Sequence, residues 1–416
     1  MTNRKLILKI TAFSLIACFT TQANGQANPR QERLLNGLKV LMFPNPAADK
    51  VTIAIRIHSG ASFDPQGKEG VMATLADSFF PTEASQTFFK EDLDGDLKVI
   101  TTYDFIEVQA SSKAEDFLTL LEAVSTAVST PTIDKETTPK LLAKRLEQIK
   151  KLESDGAYIA DRSAAERLFG TFPYGRAVEG TEASMSKLGF ADVLDAKQRF
   201  LGADNATVAI SGKFDPQLAY RAARRYFGSW LKSDRIPPST FKQPDSPDTK
   251  LLTLTTVAET RSQTRFALRG VSRSERDYAA SEVLSAILSD RLQQNAASSK
   301  HSVVNAAHVL PGSIVFQLED TSGKPAANLP MLLLSKEISE AEFAAGRSKA
   351  SVARSQVSAE QKWLNADTYK LPSVADDQKS FDAVTVVDVR ALAQRLARNP
   401  VVAVAVFKAE KAAIAN

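Results

Sequence analysis

One cysteine and three histidines in 416 residues leave little for thiol or metal chemistry. The cysteine, Cys18, sits in the N-terminal apolar stretch, so the rest of the chain has no thiol. Disulfides and cysteine-held metal are excluded from that remainder. The histidines are His58, His301 and His308. No two stand three or four residues apart, so no helix can offer a pair of them to one metal ion. Long apolar runs are lacking too. Ile10–Phe19 is too short to cross a bilayer, and no other segment is a candidate span. The chain also lacks a Gly-x-Ser-x-Gly elbow, a phosphate-binding P-loop and a Gly-x-Gly-x-x-Gly turn.

Residues 1–25 are predicted to be an export signal. Arg4, Lys5 and Lys9 precede the apolar run, and Ala23-Asn24-Gly25 is a small-x-small cleavage pattern. The expected location is the periplasm. Leu15-Ile16-Ala17-Cys18 also fits a lipoprotein box, which makes Cys18 a lipidation candidate. An ordinary apolar signal residue is the other reading, and both stay open. Removing the signal leaves 49 basic against 48 acidic residues. A nearly neutral chain with no basic, aromatic-laced run argues against a nucleic-acid partner. Apolar residues make up 44% and charged residues 24%, as in soluble globular proteins, and the length allows two or three domains.

Lys232–Lys250, with Pro237, Pro238, Pro244 and Pro247, reads as a linker between two halves. Before it, Leu38–Phe43 is strand-like. Val51–His58 alternates, with Val51, Ile53, Ile55 and Ile57 on one face and Thr52, Arg56 and His58 on the other. Gly70–Phe80, Phe117–Val128, Pro139–Glu153 and Gln217–Leu231 read as helices, Leu97–Gln109 as a strand pair and Thr207–Ser211 as a strand. After the linker come strands at Leu251–Val257, Thr264–Leu268 and Ile314–Leu318. Helices are expected at Tyr278–Leu292, Leu329–Ile338, Glu340–Lys362 and Val387–Arg398, then a last strand at Val401–Phe407. The expectation is two α+β halves of similar plan, an ancient duplication. His58 reads as a structural histidine, and Asp96, Asp104 and Glu107 as solvated strand residues.

Five stretches in order resemble the pitrilysin/insulinase (M16) family of zinc peptidases. They are Leu34–Val40; Val51–Gly67; the helix Gly70–Phe80; Leu168-Phe169-Gly170-Thr171-Phe172-Pro173-Tyr174-Gly175-Arg176 with Gly180-Thr181-Glu182; and Asn205–Asp215 with the helix to Phe227-Gly228. The resemblance implies two homologous α/β-sandwich halves of the LuxS/MPP-like type. Residues 32–231 would be the N-terminal-like domain, 232–250 the linker and 251–416 the C-terminal-like domain.

The family's chemistry uses His-x-x-Glu-His on the first-domain helix, with a further Glu from a later helix completing the zinc site. On that pattern the first His position is Ala73, the general-base position Ala76 and the second His position Asp77. The later Glu position is Gln148, with a one-residue slip to Glu147 also open. The zinc expected of the family is therefore predicted absent. The family's substrate-contacting Arg and Tyr fall near Ala297 and Val304, after Ser289-Asp290-Arg291-Leu292. What survives without zinc is peptide capture on a strand edge, expected at Ile100, Thr101, Thr102, Tyr103, Asp104 and Phe105. The resemblance thus implies a non-catalytic subunit that pairs with an active, zinc-bearing M16 peptidase and binds extended peptides. A stand-alone peptide-binding or structural protein, and a metallopeptidase with unrecognised ligands, are the alternatives.

Overall fold

A computed structural model describes residues 28–233, 241–256, 261–295, 300–320 and 328–408. The first half builds a six-stranded sheet. Its strands are β1 (Arg30–Arg33), β2 (Lys39–Pro44), β3 (Lys50–Ile57), β4 (Leu97–Thr101), β5 (Ile106–Lys113) and β6 (Ala206–Gly212). They lie in the order β1-β2-β6-β3-β5-β4. The second half builds a five-stranded sheet from β7 (Leu251–Thr256), β8 (Ser262–Arg269), β9 (Lys300–Ala306), β10 (Ser313–Asp320) and β11 (Val402–Lys408). Its order is β7-β11-β8-β10-β9. Without β1 the two orders superpose strand for strand. Even the single parallel pair recurs, β2 with β6 and β7 with β11, while the other neighbours are antiparallel. The expected duplication is visible as topology.

The isoleucine face of β3 (Val51, Ile53, Ile55, Ile57) closes the first core against the helices Val71–Asp77, Phe117–Ser129, Phe190–Phe200 and Pro216–Phe227. In the second half, Phe266, Leu268, Ile314 and Phe316 pack on the helices Tyr278–Asn295 and Val386–Leu396. Each half thus removes one sheet face from water with its own helices, the main stabilising term.

The opposite faces are covered by exchange. The helix Gly156–Phe169 of the first half lays Ala160, Ala164, Leu168 and Phe169 on Ala267, Val402, Val404 and Val406 of the second sheet. The helix Ala359–Thr368 of the second half lays Leu364 on Leu41, Phe43, Ala54 and Ala209 of the first. Arg56, on the polar face of β3, is therefore buried rather than solvated.

Several elements differ from expectation. The segment Glu340–Lys362 is two helices, Glu340–Gln356 and Ala359–Thr368. Val357 turns extended, and the Ser358 hydroxyl accepts the Gln361 N–H to start the second. The helices Gly156–Phe169, Phe190–Phe200 and Val374–Asp382 and the strand β9 are additional. Within the linker, residues 241–249 carry no helix or strand, and 234–240 lie outside the described residues. So do Cys18 and Ala297. Among the described residues no helix is long and apolar enough to cross a membrane.

Candidate functional site

The Val71–Asp77 helix is fixed at its start by a buried carboxylate. Asp64 accepts the Gly70 N–H at 2.7 Å and the Met72 N–H at 2.9 Å. These are donors that a helix start leaves without internal partners. Gly70 has φ of 94°, and a Cβ there would lie 2.9 Å from the Glu179 carbonyl oxygen. Only glycine allows both the left-handed turn and that approach. Arg176 donates to the Asp64 and Ser62 carbonyls at 2.6 and 3.1 Å, and Ser184 to the Glu69 carbonyl at 2.8 Å. Arg176, at the end of the Leu168–Arg176 stretch singled out by sequence, and Ser184, just past Gly180-Thr181-Glu182, thus clamp the loop that launches the helix. Burial pushes the Asp64 carboxyl up to about 7, against the pull of its two N–H donors and Arg176.

Along this helix Ala73 and Ala76 are buried methyls with no donor atom to offer. Asp77 forms an ion pair with Arg145 of the helix Thr137–Leu152, Nε to Oδ2 at 2.7 Å. The same guanidinium donates to the Ala73 carbonyl at 3.1 Å. Burial raises the Asp77 pKa, and Arg145 opposes the rise. Gln148 and Glu147 do not reach this place. Both are exposed on the outer face of their helix, while Thr138, Leu141, Arg145 and Ile149 form the inner face. The group that faces Asp77 is Arg145, one turn before Gln148. The missed signal was a charged residue on that helix's apolar stripe, at spacings of three and four. The residues present do not fit zinc, because a guanidinium and two methyls stand where the family's pattern needs ligands and a base. Among the described residues no three His, Cys, Asp or Glu side chains group to hold a metal ion.

The expected peptide edge needs a correction. The edge strand is β4, Leu97–Thr101, so only Ile100 and Thr101 of the six residues belong to it. The other four form the turn into β5 and are occupied internally. The Thr102 and Tyr103 carbonyls accept the Ala61 and Ser62 N–H groups, and the Tyr103 hydroxyl donates to the Arg176 carbonyl. Asp104 is buried and receives His308 Nδ1 at 2.8 Å, the Val309 N–H at 3.2 Å and the Tyr174 hydroxyl at 3.3 Å. The Phe105 ring lies 3.9 Å from the Arg56 guanidinium carbon. An alternating sequence does not reveal that its last residues meet a loop 200 positions away. On its outer side β4 pairs with no other strand among the described residues, and Lys98 and Val99 are exposed.

Asp96, Asp104 and Glu107 do not form a cluster. Glu107 pairs with Arg56 at 2.5 Å, both buried, and Asp96 begins the hairpin, its N–H on the Ser111 hydroxyl. Asp96 is exposed as expected, whereas Asp104 and Glu107 are buried and paired rather than solvated. His58 bridges Thr207 through Nε2 and Thr368 through Nδ1, each at 3.0 Å. Burial, with Lys370 nearby, lowers its pKa to about 3, so it stays neutral. In the second half Arg291 is buried and held by Glu342 and the Leu333, Lys336 and Glu337 carbonyls. Val304 lies on β9, opposite Val315.

Comparison with known proteins agrees with this geometry. Residues 187–308 match the family model described as the peptidase M16 inactive domain. A protease from Helicobacter pylori has the same fold, with a TM-score of 0.81 at 15% identity over 91% of this chain and all of that one. The peptidase M16 inactive domain from Pseudomonas fluorescens gives 0.79 at 16%, covering 92% and 98%. A chain of Complex III2 from Candida albicans gives 0.74 at 17%, covering 91% and 96%. No curated protein sequence matches. The fold is that of the M16 peptidases. Residues 187–308 are thus similar to the inactive domain of that group.

Proposed function

We propose that this chain is the non-catalytic subunit of a periplasmic M16 heterodimer, and that it presents extended peptides to a zinc-bearing partner. The observation that carries the reading is the exchange of metal chemistry for the Asp77–Arg145 ion pair beside an intact edge strand. The helix that would hold zinc is kept as scaffold, with Ala73 and Ala76 packed in its core. The unpaired side of β4 offers backbone N–H and C=O groups to which an extended peptide can add. The match to a chain of a multi-subunit complex supports a role in assembly.

The test is to purify the chain from its native periplasm and identify what accompanies it. A stoichiometric M16 protein with an intact His-x-x-Glu-His is expected, with peptide cleavage that depends on that protein's zinc. A solitary chain that still binds extended peptides would favour the stand-alone reading. One zinc per chain with chelator-sensitive cleavage by this protein alone would refute both.

A further inference from the structure

We propose that the end of the molecule formed by the β1–β2 turn, the Pro216–Phe227 helix and Leu231–Lys232 docks on an anionic lipid surface. Leu35, at the tip of the turn, is fully exposed, and Leu231 is 79% exposed. They are neighbours, because the Asn36 side chain donates to the Phe227 and Trp230 carbonyls at 2.7 and 2.9 Å. The turn is rigid at this point. Gly37 has φ of 90°, and a Cβ there would touch Asp204 at 3.0 Å. Two leucines held outward on a fixed turn and strand end suit insertion at the headgroup level.

Cations outnumber carboxylates around them, the exposed Asp204 beside Gly37, Asp215 at the helix start and Glu122 beside Tyr226 being the acidic groups nearby. The outer face of the Pro216–Phe227 helix carries Leu218, Arg221, Arg224 and Arg225, and the helix has no acidic residue. Arg33 and Lys232 are also exposed on this end. None of these five cations forms an ion pair among the described residues. Tyr220 lies between Arg30 and Arg224, each 5.8 Å from its ring centre, an amphipathic ring at the edge of the patch. Basic residues around exposed apolar ones complement anionic headgroups.

Beside the turn opens a cavity of 370 Å³, lined by Arg33, Lys39, His58, Asp204, Asp367 and Lys370 among others. Lys39 is neutralised by Asp367 at 2.8 Å. Lys370 is exposed, and its φ of 55° is a left-handed position where a helix end favours glycine. A lysine kept there at a backbone cost places a cation at the mouth of the cavity. An anionic headgroup fits that chemistry.

The test uses the full chain with Cys18→Ser, so that no anchor contributes. Its probe is vesicles of phosphatidylglycerol and phosphatidylcholine in equal parts. Co-sedimentation is expected, weakening with added salt and absent on pure phosphatidylcholine. Arg221→Glu with Arg224→Glu should weaken it roughly thirtyfold, and Lys370→Gly, which suits the backbone, roughly fivefold. Lys90→Glu with Lys140→Glu, the same charge change elsewhere, should leave it unchanged. Thermal unfolding of each variant confirms that the fold is intact. Equal loss in that control pair, equal binding to neutral vesicles, or no binding to anionic ones would overturn the proposal. The last result would leave an acidic protein as the patch's occupant.

Discussion

Equivalent strands of the two sheets each bury an arginine, near the end of β3 and in the middle of β8, and neutralise it differently. Arg56 on β3 faces Glu107 on β5; Arg265 on β8 faces Gln317 on β10. In the first sheet the carboxylate is the strand neighbour, and both side chains are 2% exposed. The exchanged helix Ala359–Thr368 adds only neutral groups, Gln361 Oε1 at 2.5 Å and Asn365 Oδ1 at 2.7 Å. In the second sheet the strand neighbour is neutral. The carboxylate, Asp161, comes from the exchanged helix Gly156–Phe169 and accepts both Arg265 and the Gln317 amide. One arginine is balanced within its own half, the other across the junction. A pseudo-symmetric fold can therefore bury an arginine on equivalent strands and draw its carboxylate from different elements.

The largest effect expected from breaking this comparison is at Glu107. Glu107→Ala leaves Arg56 buried with only neutral acceptors, and losing one partner of a buried pair costs about 3–5 kcal/mol. Urea unfolding should show that loss in the midpoint at an unchanged slope. A loss below about 1 kcal/mol would mean that Gln361 and Asn365 suffice, and the contrast between the halves would fall.

A second difference concerns how each half enters the α-helix that follows its arginine-bearing strand. In the first half the buried Asp64 accepts two backbone N–H groups; in the second, Glu275 accepts the Ser272 N–H and remains half-buried. Asp64 has its folded pKa raised to about 7 from an ordinary 3.8. The folded state then holds the proton more tightly than the unfolded one. The stability this lends is full below pH 4 and is lost as pH rises through 7. Asp64→Asn cannot titrate. It should be less stable than the parent at pH 5, with the gap narrowing by on the order of 2 kcal/mol by pH 8. A gap constant with pH would show that Asp64 is ionised throughout.

How much of this was legible in the sequence follows from how local each cause is. The β3 alternation and the Pro216–Phe227 amphipathic helix could be read because their periods lie within a dozen residues. The degenerate zinc helix could be read because three scattered histidines settle it. The exchanged helices could not. Ala359–Thr368 has only Trp363 and Leu364 as large apolar residues, since its other contacts are polar and reach a strand some 300 positions earlier. Lys300–Ala306 is an edge strand of mixed polarity, so no alternation announces it. Arg145 was missed for the same reason as Arg56: its meaning lies in a partner far along the chain.

The smallest predicted effect is at Asp161, and it sharpens the comparison most. Its side chain is 44% exposed, while that of Arg265 is 5% exposed. Water therefore screens the carboxylate, and the attraction is worth far less than that of the enclosed Arg56–Glu107 pair. Arg265 also donates to Gln263 Oε1 at 3.1 Å and to the Thr264 carbonyl at 3.0 Å, so it retains acceptors when the charge is lost. Asp161→Asn should therefore cost no more than about 1 kcal/mol and shrink further in high salt. Because Asp161 belongs to the other half, the loss should appear as looser junction packing. Faster amide exchange is expected in β8 and the Gly156–Phe169 helix, with β3 and β5 unaffected. A cost equal to that of Glu107→Ala, or exchange changes spread over both sheets, would show that the junction carries charge balance for the whole molecule.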